Sequence, residues 1–122
     1  MRLLIVEDDY KLGSLLEQGL REEGFDPDWV KTGDEAVTRA MTSSYELLLL
    51  DYMLPGKDGR QVASELRAAG RRLPILLLTA LDAPDDIRLA MEAGVSDVMG
   101  KPFRFAELID RIRQLVSTSV SG

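Results

Sequence analysis

The stretch that decides the fold is "LLLLDYMLPGKDG", residues 47–59. Four consecutive leucines are more apolar than a strand with one exposed face requires, so we expect them to form a strand that is covered on both sides. Asp51 follows the leucines without a break, and the chain then turns through Pro55, Gly56 and Gly59. The stretch therefore predicts a buried strand that carries a carboxylate at its open end.

Four other short apolar runs also predict strands, and a helical pattern follows each of the five. The predicted strands are Leu3–Val6, Asp28–Val30, Leu47–Leu50, Ile75–Leu78 and Val98–Met99. Apolar residues at helical spacing predict helices over residues 12–20, 34–41, 62–70, 87–94 and 105–116. Strand and helix alternating five times predict an α/β protein with a doubly wound parallel sheet and helices on both faces.

The composition limits the chemistry available to this chain. Its 122 residues suit one domain, and they include no cysteine and no histidine, which excludes disulfides, thiolate sites, imidazole bases and histidine metal ligands. The net charge of −6 argues against direct binding of nucleic acid by this domain. No apolar run approaches the roughly 20 residues of a membrane span, and no signal peptide precedes the first strand, so we expect a cytoplasmic protein without membrane contact.

Polar side chains follow the predicted strands at the edge of the sheet where ligands bind in open α/β folds. In chain order they are Glu7, Asp8, Asp51, Thr79 and Lys101. Each aspartate taken alone has a plainer interpretation, helix capping or solvation, and we expect Asp9 to cap the first helix. Because the carboxyl ends of parallel strands meet at one edge, the whole set nevertheless predicts one shared site.

The chemistry of this set points to phosphate. Two carboxylates about 5 Å apart repel each other by roughly 3 kcal/mol at an effective dielectric constant near 20. Three of them therefore require a cation, and Mg²⁺ is the usual one where phosphate is handled. A carboxylate can attack phosphorus, and phosphoryl transfer mainly needs its oxygens neutralised. Lys101 supplies an ammonium and Thr79 a hydroxyl for those oxygens, so Asp51 is the predicted site of an aspartyl phosphate.

These residues lie in motifs that together resemble the receiver domain of bacterial two-component response regulators. The motifs are "IVEDD" (5–9), "LLLLDYMLPGKDG" (47–59), "PILLLTA" (74–80), "EAG" (92–94) and "KPF" (101–103). "LPGKDG" and the helix after "KPF" look most like the OmpR/PhoB-like class, which usually carries a C-terminal winged-helix DNA-binding domain, absent here. The resemblance implies a flavodoxin-like sheet with strand order 2-1-3-4-5. We expect residues 1–118 to form the receiver and residues 119–122 a polar tail or the start of a linker.

The resemblance also implies a role for each site residue. Asp51 would accept a phosphoryl group from a sensor histidine kinase. The implied Mg²⁺ site consists of Glu7, Asp8, Asp51 and the backbone carbonyl of Met53. Thr79 and Lys101 would bind the phosphoryl oxygens, and the Lys101–Pro102 peptide would be cis. Such a domain is a signalling switch that catalyses only its own phosphorylation and dephosphorylation, and its output would be transcription.

Two positions depart from the receiver pattern. Val98 stands where receivers usually have a tyrosine or phenylalanine that acts as a rotameric switch. OmpR/PhoB-like receivers dimerise through the face of the fourth helix, fifth strand and fifth helix, and Asp97, Glu107 and Arg111 match the charges of that face. Ile87 stands where a basic residue is usual. We therefore expect a homodimer through this face to be weakened.

Two other functions stay open at this point. A receiver that no longer takes phosphate could serve as a docking module, and Val98 is the feature in its favour. A Mg²⁺-dependent phosphohydrolase of the haloacid-dehalogenase-like kind would also form an aspartyl phosphate. Those enzymes carry a second aspartate two residues after the nucleophile, where this chain has Met53, and they have a cap domain.

Overall fold

In the part of the chain that the structure describes, five strands alternate with five helices, in the order that the sequence predicts. The computed structural model describes residues 1–80 and 82–121, with side chains up to Thr118. The strands are β1 (Arg2–Val6), β2 (Asp26–Val30), β3 (Leu47–Asp51), β4 (Ile75–Thr79) and β5 (Asp97–Gly100). The helices are α1 (Tyr10–Glu22), α2 (Gly33–Thr42), α3 (Gly59–Ala68), α4 (Pro84–Glu92) and α5 (Phe105–Ser121). No helix in the described ranges is long and apolar enough to cross a membrane.

The strands form one parallel sheet in the order β2-β1-β3-β4-β5. The predicted doubly wound α/β fold and its flavodoxin-like strand order are therefore confirmed. The winding reverses between β1 and β3, and ligands of such sheets bind at the carboxyl ends of the strands beside this point.

Both faces of the sheet are buried, which explains the run of four leucines. Successive strand residues point to opposite faces. Leu48 and Leu50 pack into a cluster with α2 and α3, whereas Leu47 and Leu49 pack into a second cluster with α1 and α5. All five residues of β3 are buried, including Asp51.

The two edge strands are longer than the sequence predicts. β2 begins at Asp26 rather than Asp28, and β5 extends from Asp97 to Gly100 rather than over Val98–Met99 alone. An edge strand is paired on one side only, so polar residues extend it without being buried, and an apolar pattern misses them. The backbone of α5 continues to Ser121. The predicted tail at 119–122 otherwise lies outside the described side chains.

Candidate functional site

The strand register brings the predicted site residues into one row. Val6 pairs with Leu50, Asp51 with Leu78, and Thr79 with Gly100. The residues at or just after these pairs therefore stand side by side at the carboxyl edge, in the order Glu7, Asp51, Thr79 and Lys101. The sheet, rather than any loop, sets their spacing.

Three carboxylates converge at this edge. Oxygen atoms of Glu7, Asp8 and Asp51 all lie within 4.8 Å of one another. Glu7 is only 2% exposed and Asp51 only 6%, whereas Asp8 is exposed. The N–H of Asp9 donates to Oε2 of Glu7 at 3.1 Å, and the Asp9 carboxylate caps α1, as predicted. Two acids are thus fixed in the sheet edge and one faces outward.

Lys101 neutralises part of this charge. Its Nζ donates a hydrogen bond of 2.8 Å to Oδ1 of Asp51 and lies 3.4 Å from Oε1 of Glu7. The Lys101 backbone N–H donates to the carbonyl of Thr79 at 2.8 Å, which holds the two residues together. The Lys101–Pro102 peptide is cis, as the resemblance implies. Thr79 is 4% exposed, so its side chain is largely enclosed beside the lysine.

Burial and charge shift the pKa values of two of these groups. Burial raises the pKa of Glu7, and the charge of Asp51 adds to the effect, although the N–H of Asp9 and Lys101 oppose it. For Lys101, burial alone would lower the pKa, but the hydrogen bonds and charges of Asp51 and Glu7 outweigh it and raise the pKa. The pocket therefore keeps its lysine charged and holds excess negative charge.

The donor set fits Mg²⁺. With all three acids ionised, the three carboxylates and the one ammonium described at the site sum to two negative charges. Hard divalent cations prefer carboxylate oxygens, and Mg²⁺ usually takes one or two carboxylates and keeps several waters. The exposed Asp8 leaves one side of the cluster open to such waters.

The loop between β3 and α3 borders the pocket and is tied down at several points. Lys57 pairs with Asp34 at 3.1 Å and with Glu65 at 2.8 Å. Asp58 forms a capping box with Gln61 at the start of α3. Met53 lies in this loop with its side chain 71% exposed. The role of its backbone carbonyl in metal binding stays a prediction.

Sequence reasoning did not place Trp29 at this site. Its indole N–H donates a hydrogen bond of 2.9 Å to the backbone carbonyl of Glu7. No motif marks this residue, because it lies in an edge strand of mixed polarity. The signal that would have found it is its register, since Trp29 pairs with Ile5, two residues before Glu7.

Comparison with known proteins identifies the family. The profile described as "Response regulator receiver domain" matches residues 3–113. The chain belongs to the response regulator receiver domain family. The resemblance to receiver domains of the OmpR/PhoB-like class is therefore confirmed.

The relatives of this receiver are transcriptional regulators. It is 45% identical to the probable transcriptional regulatory protein SilR of Salmonella typhimurium, over 95% of this chain and 51% of that protein. It is equally 45% identical to the transcriptional regulatory protein CusR of Escherichia coli (strain K12), with the same coverage of 95% and 51%. The receiver thus spans about half the length of the curated relatives it matches.

Solved structures share the whole fold of the receiver. The Francisella response regulator 1452 receiver domain superposes with a TM-score of 0.93 at 29% identity, covering 97% of this chain and 98% of that one. The receiver domain of the sensor histidine kinase PA1611 from Pseudomonas aeruginosa PAO1, with a magnesium ion coordinated in its active site cleft, gives a TM-score of 0.87 at 35% identity. That match covers 95% of this chain and 97% of the Pseudomonas chain.

The receiver encloses a small cavity behind Thr79. Its volume is ≈10 Å³, which is enough for about one water molecule. The lining residues are Tyr52, Leu77, Thr79, Asp86, Ile87, Ala90 and Val98. Val98 therefore lines the same cavity as Thr79, at the position where the resemblance places an aromatic switch.

The predicted dimer face of the receiver carries an ion pair within one molecule. Arg111 donates to Asp97 at 2.7 Å, and Glu107 is exposed beside them on α5. Ile87 is exposed on α4, where a basic residue was expected. Its neighbour Arg88 pairs with Glu92 of the same helix at 2.8 Å. The face is present, and a homodimer through it stays a prediction.

Proposed function

We propose that this receiver accepts a phosphoryl group on Asp51, with Mg²⁺ as cofactor and a sensor histidine kinase as donor. One observation carries the proposal: the buried carboxylate of Asp51 lies 2.8 Å from the Lys101 ammonium and within 4.8 Å of two further carboxylates. A nucleophile, a cation for the transferred group and a hard-metal donor set thus meet at one point. A carboxylate that only caps a helix or faces solvent at a strand end would not need a neighbouring lysine and two further acids.

The proposed step makes an acyl phosphate. A carboxylate oxygen of Asp51 attacks phosphorus and forms the new P–O bond. The bond from phosphorus to the donor nitrogen breaks, and its electron pair stays on that nitrogen, which takes up a proton. Hydrolysis by attack of water on the same phosphorus would return the free carboxylate. The domain therefore acts on itself and is not an enzyme with a separate substrate.

Residues of this chain supply the charge that the step requires. The Lys101 ammonium, which donates a hydrogen bond to Asp51, can move to a phosphoryl oxygen once the carboxylate is phosphorylated. The Thr79 hydroxyl stands next to it in the strand register and can donate to a second oxygen. Mg²⁺, held by Glu7, Asp8, Asp51 and the carbonyl of Met53, would supply the positive charge that offsets the remaining phosphoryl charge.

The proposed output is transcription. Relatives at 45% identity are transcriptional regulators about twice as long as this chain. DNA contact would come from a winged-helix domain outside these residues, because the receiver itself carries a net charge of −6. We propose a cytoplasmic location, where a kinase and DNA are both accessible.

Intact mass spectrometry after incubation with acetyl phosphate and Mg²⁺ tests the proposal. We expect the mass of one phosphoryl group on the wild type and none on Asp51→Asn. The matched control is Asp58→Asn, which changes an aspartate of the same loop but keeps the N-cap of α3, since asparagine caps as well as aspartate. Phosphorylation of Asp51→Asn would refute the assignment.

The same experiment separates the two competing functions. A docking module would gain no mass with acetyl phosphate or with a kinase. A phosphohydrolase would release phosphate continuously from many donors, and it would need a second aspartate two residues after Asp51. In the position where such enzymes carry that acid, this chain has the exposed Met53. Nothing in the geometry of the described residues favours the enzyme.

A further inference from the structure

Trp29 binds the turn that carries the two metal-ligand candidates Glu7 and Asp8. Its indole N–H donates to the carbonyl of Glu7 at 2.9 Å. On the same turn, the N–H of Glu7 donates to the carbonyl of Val30 at 3.1 Å. The end of β2 therefore holds Glu7 by both of its backbone polar groups.

The orientation of the indole is fixed by its neighbours. Gly13 of α1 leaves the space that the ring fills, because a Cβ atom there would lie 2.1 Å from Cζ2 of Trp29. The ring of Tyr10 lies against the indole with centroids 5.6 Å apart. The Lys31 ammonium lies 5.4 Å from the centre of the same ring. A ring packed in this way donates its hydrogen bond in one direction.

The hydrogen bond acts on both acids through one peptide group. The carbonyl of Glu7 belongs to the peptide that joins Glu7 to Asp8, and that peptide is planar from one Cα atom to the next. Fixing the direction of the carbonyl therefore fixes the relative positions of the two Cα atoms from which the carboxylates extend. Asp8 depends on this most, because its side chain is exposed and no packing holds it.

We propose that Trp29 is a positioning residue for the metal site, and that its indole N–H sets the geometry of the Glu7–Asp8 pair. The proposal rests on the proposed Mg²⁺-dependent function and adds a residue to it. Trp29 is not among the residues proposed to hold the metal or the phosphoryl group. It acts through the backbone, so its removal should weaken Mg²⁺ binding while the fold remains.

Two changes at position 29 separate the N–H from the rest of the ring. Trp29 is the only tryptophan in the chain, so replacing tryptophan by 3-benzothienylalanine during expression exchanges the indole N–H for sulfur at this position alone. Trp29→Phe removes the N–H together with part of the ring. Calorimetric titration with Mg²⁺ should show affinity reduced about fivefold in both, as expected for the loss of one hydrogen bond.

Two controls test whether the effect is specific. Tyr10→Phe keeps the contact between the rings and should bind Mg²⁺ as the wild type does. Val116→Ala creates a cavity in α5 away from the site, so its melting temperature should fall while its Mg²⁺ affinity stays unchanged. In the wild type, the single indole ¹H–¹⁵N cross-peak should shift during the titration, with the midpoint that calorimetry gives.

The possible outcomes differ for the two proposals. Wild-type affinity in both position-29 variants would overturn the positioning role and leave the proposed function standing. Loss of affinity in Trp29→Phe but not with benzothienylalanine would also overturn it, because packing rather than the N–H would then be responsible. A wild type that binds no Mg²⁺ would overturn both proposals.

Discussion

The Nζ atom of Lys101 donates a hydrogen bond of 2.8 Å to Asp51, although the two residues are 50 positions apart in the chain. The same ammonium lies 3.4 Å from Glu7. The ammonium of Lys101 therefore lies between two buried acids, next to the carboxylate that we propose accepts the phosphoryl group. In the unmodified protein it stabilises the acids, and after phosphorylation it would stabilise the product.

This double role predicts opposite effects of Lys101→Met on two measurements. Without the ammonium, the rate of phosphorylation by acetyl phosphate should fall roughly a hundredfold, the loss typical of one group that stabilises developing charge. Mg²⁺ affinity should rise, because the acids lose their competing cation. The matched control is Lys11→Met, at an exposed position of α1, and it should change neither quantity. A parallel fall of rate and Mg²⁺ affinity would contradict this account.

The exposed acid should dominate metal binding. We expect Asp8→Ala to weaken Mg²⁺ binding at least tenfold in calorimetry, because it removes the one carboxylate of the cluster that faces solvent, where hydrated Mg²⁺ enters. Asp9→Asn keeps the cap of α1 and should bind normally. Chelation of Mg²⁺ with EDTA should abolish the gain of mass from acetyl phosphate. Unchanged binding in Asp8→Ala would show that the metal is held elsewhere.

A second polar network, formed by Tyr45, Asp28 and Arg2 away from the carboxyl edge of the sheet, predicts that the stability of the fold depends on pH. The Tyr45 hydroxyl donates to Asp28 at 2.7 Å, and Arg2 pairs with the same carboxylate at 2.9 Å. The hydrogen bond from Tyr45, aided by Arg2, lowers the pKa of Asp28 from its usual value. A lowered folded-state pKa means that this stabilisation is complete above the unfolded-state pKa and is lost as pH falls through the folded-state value.

Tyr45→Phe tests this contribution. Its free energy of unfolding in urea at pH 7 should be lower than that of the wild type by about 1 kcal/mol, since Asp28 is partly exposed and solvent screens the interaction. The difference should begin to shrink as pH falls below the ordinary aspartate pKa of about 4, and it should be lost only at lower pH, as Asp28 becomes protonated in the folded protein. Tyr10→Phe, on an exposed tyrosine, should unfold like the wild type at both pH values. An equal difference at pH 7 and pH 3 would rule out the charge of Asp28 as the cause.

The contact between α1 and Trp29 predicts that alanine at position 13 does not stabilise the helix, although alanine usually does so in place of glycine. Gly13→Ala places a methyl group where Cζ2 of Trp29 already lies. Overpacking of this kind costs about 1–3 kcal/mol, which exceeds or cancels the gain of about 1 kcal/mol from alanine in a helix. Thermal unfolding should therefore show no stabilisation, and the Trp29 emission should shift. Gly100→Ala, where a Cβ would meet nothing within 4 Å, should leave the emission unchanged. A clear gain in stability for Gly13→Ala would contradict the described packing.

Val98 predicts weak coupling between phosphorylation and dimerisation. The short, β-branched side chain has few rotamers to exchange and lines a cavity of only ≈10 Å³ beside Thr79. With a beryllofluoride mimic, sedimentation should show dimer affinity about tenfold or more below that of Val98→Tyr, which corresponds to about 1.4 kcal/mol. Ile87→Lys should add a smaller gain from one exposed ion pair. A tight wild-type dimer that forms only with the mimic would show that Val98 is no handicap.

Local patterns in the sequence were enough to predict the architecture and to bring the candidate site residues to one edge of the sheet. Apolar runs such as Leu47–Leu50 are buried completely only in a sheet that is covered on both faces. The order of strands and helices along the chain therefore followed from the local pattern of apolar residues. Because parallel strands end at one edge, the same pattern places Glu7, Asp51 and Lys101 together. The first and last residues of the edge strands β2 and β5 could not be predicted in this way, because a strand paired on one side does not need a continuous apolar run.

The contacts among the site residues depend on the packing of the whole domain. That Lys101 bonds to Asp51 more closely than to Glu7 depends on strand register and burial, which no local pattern encodes. Trp29 reaches the site because Gly13 leaves room for its ring across the space between β2 and α1. Such contacts join residues far apart in sequence, and their geometry is fixed only when the helices pack onto the sheet.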